Sequence, residues 1–136
     1  MLLAVSHAVL ATNDVPRITR FFSEAFALTP HFENDMFSEF VLPSGFRLAF
    51  FKPVGKSAKV FSADGPRNTQ SMGLTVKNVD EFYTSLLARL DALGGNTEGP
   101  PKDHPWGEKS FLLLDCDGNR WEITQSPSTD GMLKNR

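Results

Sequence analysis

The feature that most constrains this chain is an internal repeat. The segment HAVLATNDVPRITRFFSEAF, beginning at His7, overlies SMGLTVKNVDEFYTSLLARL, beginning at Ser71, at a constant offset of 64 residues. Asp14 then faces Asn78 and Val15 faces Val79, so the starts of two helical patterns fall in register. Farther along, LPSGFRLAFF overlies LDCDGNRWEIT, with Gly45 on Gly118 and Arg47 on Arg120. Insertions of unequal length separate the matches, which makes the repeat one of structure rather than of copied sequence. A chain built this way must make two similar supersecondary units, neither of which buries a sheet by itself.

Each half reads as βαβββ. In the first, β-branched and small apolar residues run from Ala4 to Thr12, and Asn13-Asp14 offer side-chain oxygens to cap a helix. Val15, Ile18, Phe21, Phe22, Ala25 and Phe26 recur at helical spacing, with Pro16 tolerated in the first turn. Pro30 to Asn34, Met36 to Leu42 and Phe46 to Lys52 read as strands, the last two joined by Pro43-Ser44-Gly45. In the second half, Ser71 to Lys77 is a strand, and Asn78 caps a helix bearing Val79, Phe82, Leu86 and Leu90 that stops at Gly94-Gly95. A short strand over Asn96 to Glu98 is followed by a loop stiffened by three prolines, Gly99 to Gly107, carrying His104 and Trp106. Ser110 to Leu114 and Arg120 to Gln125 close the unit as a hairpin around Asp117-Gly118. The expected class is α+β, with paired βαβββ units forming a cupped mixed sheet and helices on the outer face. Expected boundaries are a single domain over 1–126, with unit one at 3–53, a linker at 54–69, unit two at 70–126 and a polar C-terminal tail at 127–136.

Alternation along the strands assigns side chains to faces. Met72, Leu74 and Val76 face the helix, leaving Ser71, Gly73 and Thr75 on the open face; His7, Val9 and Ala11 follow by the same count. On the last strand Trp121 and Ile123 cover the helix side while Arg120, Glu122 and Thr124 point into the cavity. An inward carboxylate there calls for a partner, with Arg120, Arg47 and His7 as the candidates. Ten of the 12 phenylalanines lie between Phe21 and Phe61, more than one helix absorbs, so both faces of the first sheet should carry rings. Phe51 and Trp106 are the aromatics assigned to a pocket for a flat or apolar ligand, Trp106 either as a lid or packed on the hairpin.

Composition excludes several classes. The 136 residues are 40% hydrophobic and 22% charged, enough for an ordinary core, and the 14 Lys and Arg are scattered at a net charge of -2. Nucleic acid is therefore not an expected partner. Cys116 is the only cysteine, which rules out an internal disulfide and fits a reducing cytoplasm. The opening MLLAVSHAVLA lacks a preceding basic residue and is too short to cross a bilayer, so it reads as a first strand, with no membrane partner.

The paired layout, the segment HAVLATND with Asp14 seven residues after His7, and the closing WGEKSFLLLDCDGNRWEI together resemble the vicinal oxygen chelate superfamily. That superfamily includes glyoxalase I, extradiol dioxygenases, methylmalonyl-CoA epimerase, fosfomycin resistance enzymes and bleomycin resistance proteins. The resemblance covers roughly residues 3 to 126 and is most specific at the final hairpin, where the family's Asp-Pro-Asp-Gly appears as Asp115-Cys116-Asp117-Gly118. In the family's metal enzymes the first and last strand of each unit supply ligands. His7 and Glu122 match two such positions, whereas the other two fall on Ala49, which has no donor, and Ser71, a poor ligand for zinc, nickel or iron. Glu39 or Glu33 on the middle strands could lend a third, though nothing in the spacing requires it. The resemblance thus implies a metal-independent small-molecule binding protein of the bleomycin resistance kind, with no cofactor expected and His7, Arg47, Phe51, Trp106, Arg120 and Glu122 as ligand-binding residues. Its alternative is a metal-dependent lyase, isomerase or dioxygenase with an incomplete or atypical site, in which Glu122 is the candidate catalytic group. Pairing of two chains, common in the family, makes a homodimer the expected assembly.

Overall fold

A computed structural model describes residues 1–65 and 67–125 of the chain; the tail expected at 127–136 lies outside the described residues. Contacts divide the chain after residue 66 into two units.

The first unit runs β1 (His7–Ala11), α1 (Val15–Phe26), β2 (Phe32–Glu33), β3 (Phe37–Val41) and β4 (Arg47–Phe51), followed by a single 3-10 turn at Ser57–Lys59. Its four strands are ordered β1-β4-β3-β2, with β1 parallel to β4 and the remaining pairs antiparallel. The helix starts where the sequence places it because the Asp14 side chain accepts the Arg17 N–H, and Pro16 sits where a missing donor does no harm. Val15, Ile18, Phe21, Phe22 and Ala25 form its buried stripe against Phe40, Leu48 and Phe50. One polar bond crosses this core. The Thr19 hydroxyl lies 2.6 Å from the Val15 carbonyl and 2.7 Å from the Ser38 hydroxyl, so the fully buried Ser38 is satisfied.

The second unit repeats the order as β5 (Ser71–Thr75), α2 (Val79–Leu90), β6 (Asn96–Asp103), β7 (Lys109–Leu114) and β8 (Arg120–Gln125), with strands arranged β5-β8-β7-β6. Asn78 caps α2 through the Glu81 N–H, as Asp14 caps α1. The closing hairpins of the two units use the same turn. Gly45 N–H donates to Leu42 O at 2.8 Å and Gly118 N–H donates to Asp115 O at 2.9 Å, each glycine holding positive φ, 90° and 82°.

The structure corrects the reading of residues 99–103 as loop. The edge strand β6 continues through Pro100 and Pro101 to Asp103, with a register irregularity between Glu98 and Lys102. Prolines interrupt a central strand by removing ladder donors, but an edge strand with a bulge leaves those donors unused. Tyr83 of α2 packs directly on Gly99, where an added Cβ would collide with its ring.

Asp115 anchors the last hairpin. Its Oδ1 accepts the backbone N–H groups of Asp117 and Asn119, and its Oδ2 accepts the Asn119 amide at 2.8 Å and the Trp121 indole at 2.7 Å. Burial pushes this carboxyl above its usual range, against the opposing pull of those donors. The folded chain therefore keeps the proton to higher pH than the unfolded chain.

Candidate functional site

The open face of the second sheet is organised in rows set by strand register. Ser71, Arg120 and Leu114 form one; Gly73, Glu122, Leu112 and Glu98 the next; Thr75, Thr124, Ser110 and Lys102 the third. The helix-facing side of the same strands is apolar, with Trp121, Ile123, Phe111 and Leu113 buried. A depression of about 660 Å³ lies on the open face, and its walls include Ser71, Arg120, Glu122, Leu112, Glu98 and Lys102.

Glu122 is exposed, and among the described residues no ion pair or hydrogen bond engages it. Of the three candidate partners, Arg120 stands on the same strand and makes no ion pair with it. Glu98, Lys102 and Arg120 are likewise outside the ion pairs formed among the described residues. Beside them the His104 Nε2 lies 2.7 Å from the Ser110 hydroxyl, a pair that borders the depression. Trp106 is 66% exposed and stacks on His104 with ring centroids 4.6 Å apart.

The other expected site residues lie in the first unit. There the open face carries rows of His7, Arg47 and Val41, then Val9, Ala49, Glu39 and Phe32, then Ala11, Phe51 and Phe37. Arg47 lies 3.5 Å from Glu39 and 3.2 Å from His7 Nδ1, which also faces the Ser6 hydroxyl at 2.7 Å; Glu39 is also paired with His31 at 3.3 Å. Phe51 meets Phe61 edge-on at 5.1 Å, and Phe32 tilts against Phe37, which bears out rings on both faces of this sheet. The aromatic wealth is on the first unit's face, while the depression of the second is more polar than the phenylalanine count led one to expect.

Among the described residues, neither unit by itself gathers the side chains of a metal site. His7 Nδ1 is flanked by the Ser6 hydroxyl at 2.7 Å and the Arg47 guanidinium at 3.2 Å, a cation where a metal ion would have to approach. Ala49 is 2% exposed and offers a methyl group, while Glu122 is flanked in its row by Gly73 and Leu112. Among the described residues no group of three His, Cys, Asp or Glu is placed to hold an ion. No described helix is long and apolar enough to cross a membrane.

Solved structures similar to this chain share its fold. A glyoxalase-related enzyme from Fulvimarina pelagi is 27% identical, with a TM-score of 0.76 over 93% of this chain and 90% of that one. A glyoxalase/bleomycin resistance protein/dioxygenase from Nocardioides is 21% identical, with a TM-score of 0.69 over 95% and 87%. The bleomycin-binding protein of Streptomyces verticillus, solved with copper(II)-bleomycin, is 18% identical, with a TM-score of 0.64 over 94% and 100%. No match is found among curated proteins. The family model for the Glyoxalase/Bleomycin resistance protein/Dioxygenase superfamily matches residues 4–123, and with its two βαβββ units the chain belongs to that superfamily.

Proposed function

We propose that this protein binds a small organic molecule without a metal ion, on the open face of its second sheet. The observation that carries the reading is Glu122: a carboxylate with no partner among the described residues, one strand from the apolar Leu112, in a depression of about 660 Å³. An unpaired carboxylate beside hydrocarbon favours a ligand that is cationic and flat over a second anion. The copper(II)-bleomycin complex of the Streptomyces relative offers a precedent for binding a large organic ligand on this fold. In this reading Arg120 lines the same site, while His7, Arg47 and Phe51 belong to the first unit's face.

Titration with the planar aromatic cation ethidium tests it. Saturable quenching of indole fluorescence is expected in the presence of a chelator, with Glu122→Gln weakening binding by about tenfold, the scale of one charge-assisted contact. Tighter binding of the anion anilinonaphthalene sulfonate, with ethidium affinity unchanged by Glu122→Gln, would overturn the assignment.

A homodimer belongs to the same proposal. Phe32, Phe61, Val9 and Val41 are each about half exposed in the chain, a concentration of apolar surface that a second copy would cover. Light scattering at micromolar concentration is expected to return twice the chain mass, and a monomer mass removes this part of the reading.

A further inference from the structure

The internal repeat supplies a built-in comparison at Arg47 and Arg120, which occupy the same position in the two closing strands. Arg47 is engaged by Glu39 and His7 in its own unit. Arg120 is half-buried, lines the depression, and takes part in no ion pair among the described residues. The row neighbours of Arg120, Ser71 and Leu114, carry no charge to neutralise it. Two residues along the same strand and on the same face stands Glu122, equally unpaired. One edge of the site thus offers a guanidinium and a carboxylate, each outside any ion pair among the described residues, about 7 Å apart at the backbone, the rise of two strand residues. Left to themselves these charges do not close on each other, although arginine side chains have ample reach.

We infer that the ligand is a zwitterion: an ammonium or similar cation held by Glu122 and a carboxylate held by the Arg120 fork, joined by a flat apolar spacer lying toward Leu112. This rests on the binding reading above and adds the second charge. Arginine presents parallel N–H donors that match a carboxylate, so the anionic end is recognised by shape as well as by sign. The preference is for opposite charges separated by roughly two residue rises, which selects against α-amino acids and for cations and carboxylates set across a ring.

Three probes sharing one ring separate the ends: para-(aminomethyl)benzoate, its methyl ester, and para-methylbenzoate. Calorimetric titration of the full chain is expected to rank the zwitterion about tenfold tighter than either the ester or para-methylbenzoate. Arg120→Gln should abolish the advantage of the zwitterion over the ester, whereas Glu122→Gln should weaken both. If the ester and ethidium bind while the zwitterion gains nothing, the zwitterion inference fails and the binding reading stands. If neither the three probes nor ethidium binds, both fail. Because the ranking is made on the unaltered protein, a variant that folds poorly does not protect the inference.

Discussion

Replacing Phe22 by alanine is expected to remove about 3–5 kcal/mol of stability, the range for truncating a large buried aromatic. Phe22 is wholly buried and its ring meets four others: Phe21 edge-on, Phe26 stacked at 5.5 Å, and Phe40 and Phe50 tilted at 6.3 and 5.1 Å. It is the point where α1 is fastened to β3 and β4, so the void is enclosed by rings from three elements that cannot all close on it. Typical domains hold only about 5–15 kcal/mol in total, and the variant should therefore unfold at far lower urea concentration. Phe37→Leu on the open face of the same sheet, where the ring is only partly covered, is expected to shift the midpoint little. Equal losses for the two variants would contradict the assignment of faces.

Asp115→Asn is the second large effect, about 2–4 kcal/mol, although the two side chains have the same shape. Asp115 takes four donors on two oxygens. An amide keeps one oxygen and turns the other end into a donor, which then opposes either the Trp121 indole and Asn119 amide or the backbone N–H groups of Asp117 and Asn119. Buried donors left without acceptors, at a site 3% exposed, account for the magnitude. The wild-type group also titrates. Its folded pKa is raised from 3.8 by burial, so its contribution is full below that value and is lost as the pH rises through the folded pKa. The stability gap between wild type and Asp115→Asn, measured by urea unfolding, should accordingly narrow as pH rises across that window. A gap that widens would mean that hydrogen bonding, not burial, governs the carboxyl.

Those two residues also show what the sequence discloses. Phe22 was legible because helical spacing depends only on local order, and the helix caps at Asp14 and Asn78 were legible because a side-chain oxygen reaching an N–H three residues on is a short-range event. The glycine turn at Gly118 is of the same kind. Strand β6 was not, since proline forbids a central strand but not an edge, and which strand lies at the edge is decided by long-range pairing. A loop over residues 99–103 gives Lys102 no face of the sheet to belong to, whereas the observed strand sets it opposite Ser110. The unpaired state of Glu122 was equally out of reach, because parity places a side chain on a face without saying whether a partner stands within its grasp.

Parity was sound where it was used. It set Ser71, Gly73 and Arg120 beside one another on one side of the second sheet and Trp121 and Ile123 on the other, as register and burial show. The absence of a donor at Ala49 was visible in the sequence; the guanidinium standing 3.2 Å from His7 Nδ1 was not.

Metal content, measured by elemental mass spectrometry on protein purified without chelator, tests the central claim most directly. A metal-independent binding protein should carry far less than one equivalent of any transition metal per chain and retain its ethidium titration unchanged after chelator treatment. Near-stoichiometric nickel, zinc or iron, removed by chelation together with ligand binding, would contradict the account.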